Sequence, residues 1–192
     1  MNGAAPAPAP RAAGLDSELL LARSAEESLA LIAQGANPNA RNLHGVSVLS
    51  LAAIHGRAGQ LAALLQHCDA MSLDLSGSTA LILAAYAGHS ECVRLLLPRS
   101  DPGAPDRSGA RALEAAASNG DTACVELLLP VSDPSWRDAQ GRGALELALL
   151  WNRPQAAALI EGWSARLEAS QIQASLGAAA PPALAKGHPR SL

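Results

Sequence analysis

Two stretches of eleven residues decide the architecture. Gly88-His89-Ser90-Glu91-Cys92-Val93-Arg94-Leu95-Leu96-Leu97-Pro98 is followed, 32 residues later, by Gly120-Asp121-Thr122-Ala123-Cys124-Val125-Glu126-Leu127-Leu128-Leu129-Pro130. The same step then carries Ser100-Asp101-Pro102 onto Ser132-Asp133-Pro134. Working outward, Gly45, Gly77, Gly109 and Gly141 keep the step, and so do Leu49, Leu81, Leu113 and Leu145. Ala52, Ala84, Ala116 and Ala148 follow it as well. Three residues before each of the first glycines stands Asn42, Asp74, Asp106 or Asp138. Gly56, Gly88 and Gly120 form a further series, with Asn152 in the fourth place. Registers that stay in phase over four copies mark a repeat array.

Each copy has a physical reading. Thr79 to Ala87 predicts a short helix, with the Thr79 hydroxyl accepting from the first turn. Gly88 supplies a left-handed stop. Ser90 to Leu97 predicts a second helix, with Val93, Leu96 and Leu97 on one face and Pro98 at its end. A loop then leads to Asp106, whose carboxylate can bind backbone N–H groups of a tight turn ending at Gly109. One such unit cannot bury its own apolar face, so units stack. Ala84 and Ala85 are small enough to let neighbouring helices approach closely.

The pattern resembles the ankyrin repeat. The turn-plus-two-helix unit of that family carries a T-P-L-H-x-A signature. It is met here by Thr79-Ala80-Leu81-Ile82-Leu83-Ala84 and, more loosely, by Ser47-Val48-Leu49-Ser50-Leu51-Ala52. Gly88-His89 and Gly35-Ala36-Asn37-Pro38-Asn39-Ala40 add to the likeness, which spans roughly residues 17–163. It implies an all-α ankyrin-repeat solenoid of about five stacked helix-turn-helix units, at 15–41, 42–73, 74–105, 106–137 and 138–176. A leader (1–14) and a tail (177–192) are expected to be disordered. The family's motif histidine is replaced by Ser50, Ile82, Glu114 and Glu146. Its capping threonine is replaced by Arg111 and Gly143, which predicts a weaker C-terminal end. Residues 17–34 are expected to form a capping helix pair with Leu20, Leu21, Leu29 and Ile32 inside and Glu18, Glu26 and Glu27 outside. From Pro154 to about Leu176 a longer helix should place Ile160, Trp163 and Leu167 on one face.

Composition agrees with a helical array. The 192 residues include 43 Ala and 32 Leu, which dominate the 49% hydrophobic fraction, while aromatics are 2% and Phe is absent. Strands favour the β-branched and aromatic residues that are scarce here. No apolar run is long enough for a membrane span. The net charge of -3 gives no global pull toward nucleic acid or an acidic membrane. Seven Arg face eight Asp and Glu between Arg94 and Arg153, without a basic stripe or stacking aromatics. All basic residues but Lys186 are Arg, which suggests a GC-rich, bacterial coding sequence. The alternation of Pro and Ala at residues 4–10 lacks the apolar segment of a signal peptide. A cytoplasmic protein is expected, with a non-cleaved export signal of the bacterial effector type as the alternative.

Candidate chemistry is thin. Cys68, Cys92 and Cys124 are odd in number and lack metal-type spacing. Cys92 and Cys124 occupy equivalent places and should lie about 10 Å apart, too far for a disulfide. His55, His67 and Cys68 could in principle meet across units, but surface histidines are the simpler reading. Glu114 and Glu146 are more simply salt-bridge partners of Arg111 and Arg142 than an acid/base pair. No phosphate loop or nucleophile motif is present. No cofactor and no metal is expected.

A binding surface remains. In ankyrin stacks the turn tips and exposed first-helix faces line a concave groove, and the family's variable places map onto specific residues here. Unit two offers Leu43, His44, Val46, Ile54 and His55. Unit three offers Leu75, Ser76 and Tyr86, unit four Arg107, Ser118 and Asn119, and unit five Arg142, Leu150 and Trp151. Leu43, Val46, Ile54, Leu75 and Tyr86 are expected to form one apolar patch, and Leu150 with Trp151 another, unless some turn inward or Trp151 packs on the last helix. Contiguous exposed apolar surface marks contact sites. The expected function is a non-enzymatic, monomeric interaction module for a protein or peptide, as adaptor or regulator. An effector binding a host protein, or an enzyme using the groove carboxylates, are the competing readings.

Overall fold

The computed structural model describes residues 10–178, and among these every helix is short except the last. Ten α-helices follow one another: α1 (Pro10–Leu21), α2 (Ala25–Ala33), α3 (Val48–Ile54), α4 (Ala58–Leu64), α5 (Ala80–Ala87), α6 (Ser90–Leu96), α7 (Ala112–Asn119), α8 (Thr122–Leu128), α9 (Ala144–Leu150) and α10 (Pro154–Ala178). Single 3₁₀ turns, Leu97–Arg99 and Leu129–Val131, continue α6 and α8. Pro98 and Pro130 sit inside these turns, so the α-helices stop at Leu96 and Leu128 and the chain tightens into 3₁₀ geometry around each proline. No strand occurs among the described residues, only an isolated bridge between Arg41 and Ser47. The molecule is an all-α repeat solenoid.

The stack has two layers. First helices α3, α5, α7 and α9 pack in sequence, and second helices α4, α6, α8 and α10 pack behind them. Alanine makes the close inner layer possible. Ala52, Ala84, Ala116 and Ala148 are fully buried, as are Leu49 and Leu81, and Leu113 is nearly so. Behind them Leu61, Leu64, Val93, Leu96, Val125 and Leu128 are also fully buried.

Each unit begins with the same small turn. Asn42, Asp74, Asp106 and Asp138 each offer Oδ1 to the N–H groups two and four residues on, at 2.8 to 3.0 Å. The glycine three residues after each has positive φ, between 73° and 84°. Adjacent turns are joined through the backbone. Leu75 N–H donates to the His44 carbonyl, Arg107 N–H to Ser76 and Ala139 N–H to Ser108, at 3.0 to 3.1 Å. The 32-residue step is therefore built into a main-chain ladder along one edge of the stack.

A second set of bonds ties the helix corners together. Arg57 Nη1, His89 Nε2 and Arg153 Nε donate to the carbonyls of Ala22, Ile54 and Ser118, each 35 residues earlier. Asp121, which holds the same place in unit four, cannot donate from its carboxylate. It caps α8 instead, accepting from Cys124 N–H at 2.7 Å. Gly88 and Gly120 end their helices in the left-handed conformation, and Asn152 takes it at φ 54° in the fourth copy.

The caps depart from expectation in detail. Leu19, Ala22 and Leu31 fill the N-terminal interior, while Leu21 is 77% exposed and Leu29 37% exposed. Leu20 and Ile32 are half-buried against the core. The first stretch of α1, Pro10–Gly14, belongs to the segment read as a leader. Residues 1–9 and 179–192, the rest of the expected leader and most of the expected tail, lie outside the described residues. At the other end Ile160 is buried and Trp163 half-buried, but Leu167 is 38% exposed.

Helix starts differ along the stack. Ser47 and Thr79 cap α3 and α5 through their hydroxyls, accepting from Ser50 and Ile82 N–H. Arg111 and Gly143 bring no side-chain cap to α7 and α9. Loss of such a cap costs about 1 kcal/mol. Trp136, Trp151 and Trp163 all lie in this C-terminal part. In urea, Trp fluorescence should therefore change at lower denaturant than helical circular dichroism, since repeat stacks can unfold in parts. Coincident transitions would show that the C-terminal units are no weaker than the rest.

Candidate functional site

The face presented by the first helices has three parts: the turns, the exposed sides of these helices, and the corners where they end. Between units three and five it deepens into a groove of about 520 Å³. Ser78, Asp106, Ala110, Asp138 and Arg142 form the turn-side wall. Ile82, Leu83, Glu114, Ala115 and Leu147 form the floor, and Tyr86, Ser118, Asn119, Trp151 and Arg153 the corner-side wall.

Unit four creates this space by what it lacks. At the floor position the units carry Leu51, Leu83, Ala115 and Leu147. At the corner they carry Ile54, Tyr86, Ser118 and Leu150, and beside the turn Val46, Ser78, Ala110 and Arg142. Small residues therefore coincide in unit four at all three levels. Tyr86 from one side and Trp151 from the other line the hollow and stay 66% and 58% exposed.

The groove gathers five of the fourteen sequence-derived binding residues: Tyr86, Ser118, Asn119, Arg142 and Trp151. Leu43, His44, Leu75, Ser76 and Arg107 sit at exposed turn tips outside it, with Leu43 96% and Leu75 58% exposed. Val46 and Ile54 are half-buried. His55 lines a separate, shallower depression with Leu20, Leu21 and Arg57. Leu150 is exposed beside Trp151. A single groove has both Tyr86 and Trp151 in its lining. Ala115 was not singled out from the sequence, although the 32-residue step already shows alanine where three other units have leucine.

Glu114 is the unusual group. It is 1% exposed, and its Oε2 accepts from Arg111 N–H at 3.1 Å. Its Oε1 is buried without a hydrogen-bond partner. Burial raises its pKa above the usual carboxylate value, opposed by the backbone hydrogen bonds and the Arg111 charge. Glu146, the equivalent residue one unit on, is 48% exposed at its side chain and lies 3.4 Å from Arg137. Neither glutamate makes the expected ion pair with Arg111 or Arg142. Arg111 instead stacks over Trp136, 3.5 Å from the ring centroid, and Trp136 Nε1 donates to the Gly109 carbonyl. Arg142 pairs with Asp138 at 2.7 Å. Burial works against the Asp138 carboxylate, but its hydrogen bonds to Arg142 and Gln140 hold its pKa below the usual range.

The raised pKa of Glu114 has a sign for stability. Between its unfolded pKa and its higher folded one, the folded chain holds a proton that the unfolded chain has released. Stability from this group is thus full below the unfolded value and is lost as pH rises through the folded one. Glu114→Gln removes that loss. Its urea midpoint, relative to wild type, should rise between pH 4 and pH 7. A constant difference across that range would mean that the Glu114 environment costs the ionised form nothing.

Other chemistry is not assembled. Cys92 and Cys124 are buried free thiols, and Cys68 is half-buried with its Sγ donating to the Pro38 carbonyl. Burial raises all three pKa values, that of Cys68 to about 11, which disfavours the nucleophilic thiolate. No group of three or more His, Cys, Asp or Glu side chains that could hold a metal occurs among the described residues. No helix among them is long and apolar enough to cross a membrane.

A solenoid of turns and helix pairs with a side-chain-lined groove defines a class of repeat protein. Residues 20–106 match the family model described as ankyrin repeats, in three copies. Residues 20–106 are thus ankyrin repeats, and α7 to α10 continue the same turn and helix-pair geometry beyond them. No curated protein matches the chain. Ankyrin repeats are in general modules for protein–protein interaction.

Proposed function

We propose that this chain is a non-enzymatic interaction module, an adaptor or regulator that holds a protein or peptide partner in the groove of unit four. One observation carries this reading. Tyr86 and Trp151 are majority-exposed side chains on opposite sides of a hollow that folding does not require. Aromatic residues flanking a pocket are the usual anchors of protein contacts. The carboxylates give no support to acid/base catalysis, because Glu114 lines the groove and Glu146 does not. Their partners differ too: Glu114 accepts from Arg111 N–H, while Glu146 pairs with Arg137.

Affinity capture from a lysate of the source organism tests it, using the wild type beside Tyr86→Arg with Trp151→Asp. Both positions are exposed, so the double variant should keep its helical circular dichroism. A partner bound by wild type and lost by the variant supports the groove. A partner retained by the variant moves the contact to the turn tips or the caps.

A further inference from the structure

The chemistry of the groove narrows its occupant, granted the interaction reading above. We infer that the hollow of unit four receives a basic side chain, arginine in preference to lysine, from a peptide segment of the partner.

The shape comes first. Ala115 leaves empty the volume that Leu51, Leu83 and Leu147 fill in the other units, so an entering side chain is flanked by Leu83 and Leu147. Those walls suit a long aliphatic stem. Charge then decides the end group. The lining holds three carboxylates, Asp106, Glu114 and Asp138, against two guanidinium groups, Arg142 and Arg153. Arg142 is already paired with Asp138 at 2.7 Å, and Arg153 turns its Nε to the Ser118 carbonyl at 3.2 Å, so the lining keeps one negative charge in excess. Glu114 is not fully engaged. Its side chain is almost wholly buried at the groove floor, one oxygen is held by Arg111 N–H, and Oε1 has no partner. A buried acceptor without a donor is costly, and a donor entering the groove is what it lacks.

The walls favour guanidinium in particular. Tyr86 and Trp151 offer two aromatic rings beside the hollow, and a planar cation stacks on such faces. This chain already places one guanidinium that way, Arg111 on Trp136. A leucine would fill the volume but leave Glu114 Oε1 without a donor. An acidic side chain would add a fourth negative charge.

The test is selection of a displayed library of random dodecapeptides against the full chain. Selected peptides are then synthesised and titrated by fluorescence anisotropy. The expected peptides share an Arg or Lys at one position, and replacing it with neutral citrulline or with leucine weakens binding about tenfold or more. Ala115→Leu restores the side chain found in the other units, so it should fold normally and weaken binding at least tenfold. Glu114→Gln should weaken it about fivefold. Peptides with an apolar or acidic anchor that still lose binding in Ala115→Leu would overturn the basic occupant while leaving the groove intact. Peptides indifferent both to Ala115→Leu and to Tyr86→Arg with Trp151→Asp would overturn the occupant and the groove together. A library that yields no binder also overturns the inference, while lysate capture tests the wider reading independently.

Discussion

Gly109→Ala is expected to destabilise the chain by about 2–4 kcal/mol, and Gly141→Ala by only about 1–2 kcal/mol. Both glycines occupy the same turn position with similar backbone, φ 84° and φ 76°. Each substitution therefore meets the same left-handed penalty. Their surroundings differ. A Cβ on Gly109 would lie 2.8 Å from the Ala139 backbone nitrogen and 3.3 Å from the Asp138 backbone, whereas at Gly141 nothing lies within 4 Å. The nitrogen that is struck is the one that donates to the Ser108 carbonyl, a rung of the ladder between units four and five. Main chain cannot swing aside as a side chain can, so the rung must lengthen or break. Gly45 and Gly77 stand between these cases, with the next unit's backbone nitrogen 3.1 Å from the added carbon. Urea denaturation followed by circular dichroism measures the series. Equal losses at 109 and 141 would show that the unit-to-unit ladder yields freely and contributes little.

That contrast also explains why so much of the fold was legible. The Asp or Asn turns and the glycine stops, with Asn152 in the last place, each use nearly one residue type for one physical task, and each recurs in phase with the main-chain ladder. A periodic task leaves a periodic letter. The caps have no copy elsewhere in the chain, so no ruler fixed which leucines point inward. Leu19 and Leu31 took the places expected of Leu21 and Leu29, because α1 ends at Leu21 and presents its last residue to solvent.

Context within the stack was the other thing a single register could not show. Glu114 and Glu146 are equivalent in sequence, yet one is buried and one is open. Unit five covers the first, since α9 packs on α7, and among the described residues no further first helix covers the second. The groove has the same kind of origin. No residue in it is unusual alone. It arises because Ala115 and Ser118 of one unit fall between bulkier equivalents on both sides, with the small Ala110 beside the turn. Reading across copies, column by column, would have found Ala115; reading along each copy favoured the exposed tips instead.

Leu113→Ala should produce a loss of about 2–5 kcal/mol, the usual range for emptying a buried leucine site. Leu113 is 1% exposed on α7, which packs against α5, α8 and α9. The equivalent Leu145 on α9 is only half-buried, because among the described residues no further unit closes over it. Leu145→Ala should therefore cost about half as much or less. The two variants also differ in what they uncouple. In a repeat stack each unit is stabilised mainly by its neighbours. A cavity in unit four weakens the packing of α9 on α7, which with α10 on α8 joins the C-terminal unit to the rest. Trp151 and Trp163 lie beyond that contact and Trp136 at its edge, packed under Arg111. In Leu113→Ala the fluorescence transition should move to lower urea by more than the circular dichroism transition, widening the gap between them. In Leu145→Ala the dichroism transition should scarcely move. If both signals shift equally in Leu113→Ala, the stack unfolds as one cooperative body, and the loss of the threonine caps at Arg111 and Gly143 has been fully offset by the Glu114 and Glu146 bonds to their backbone.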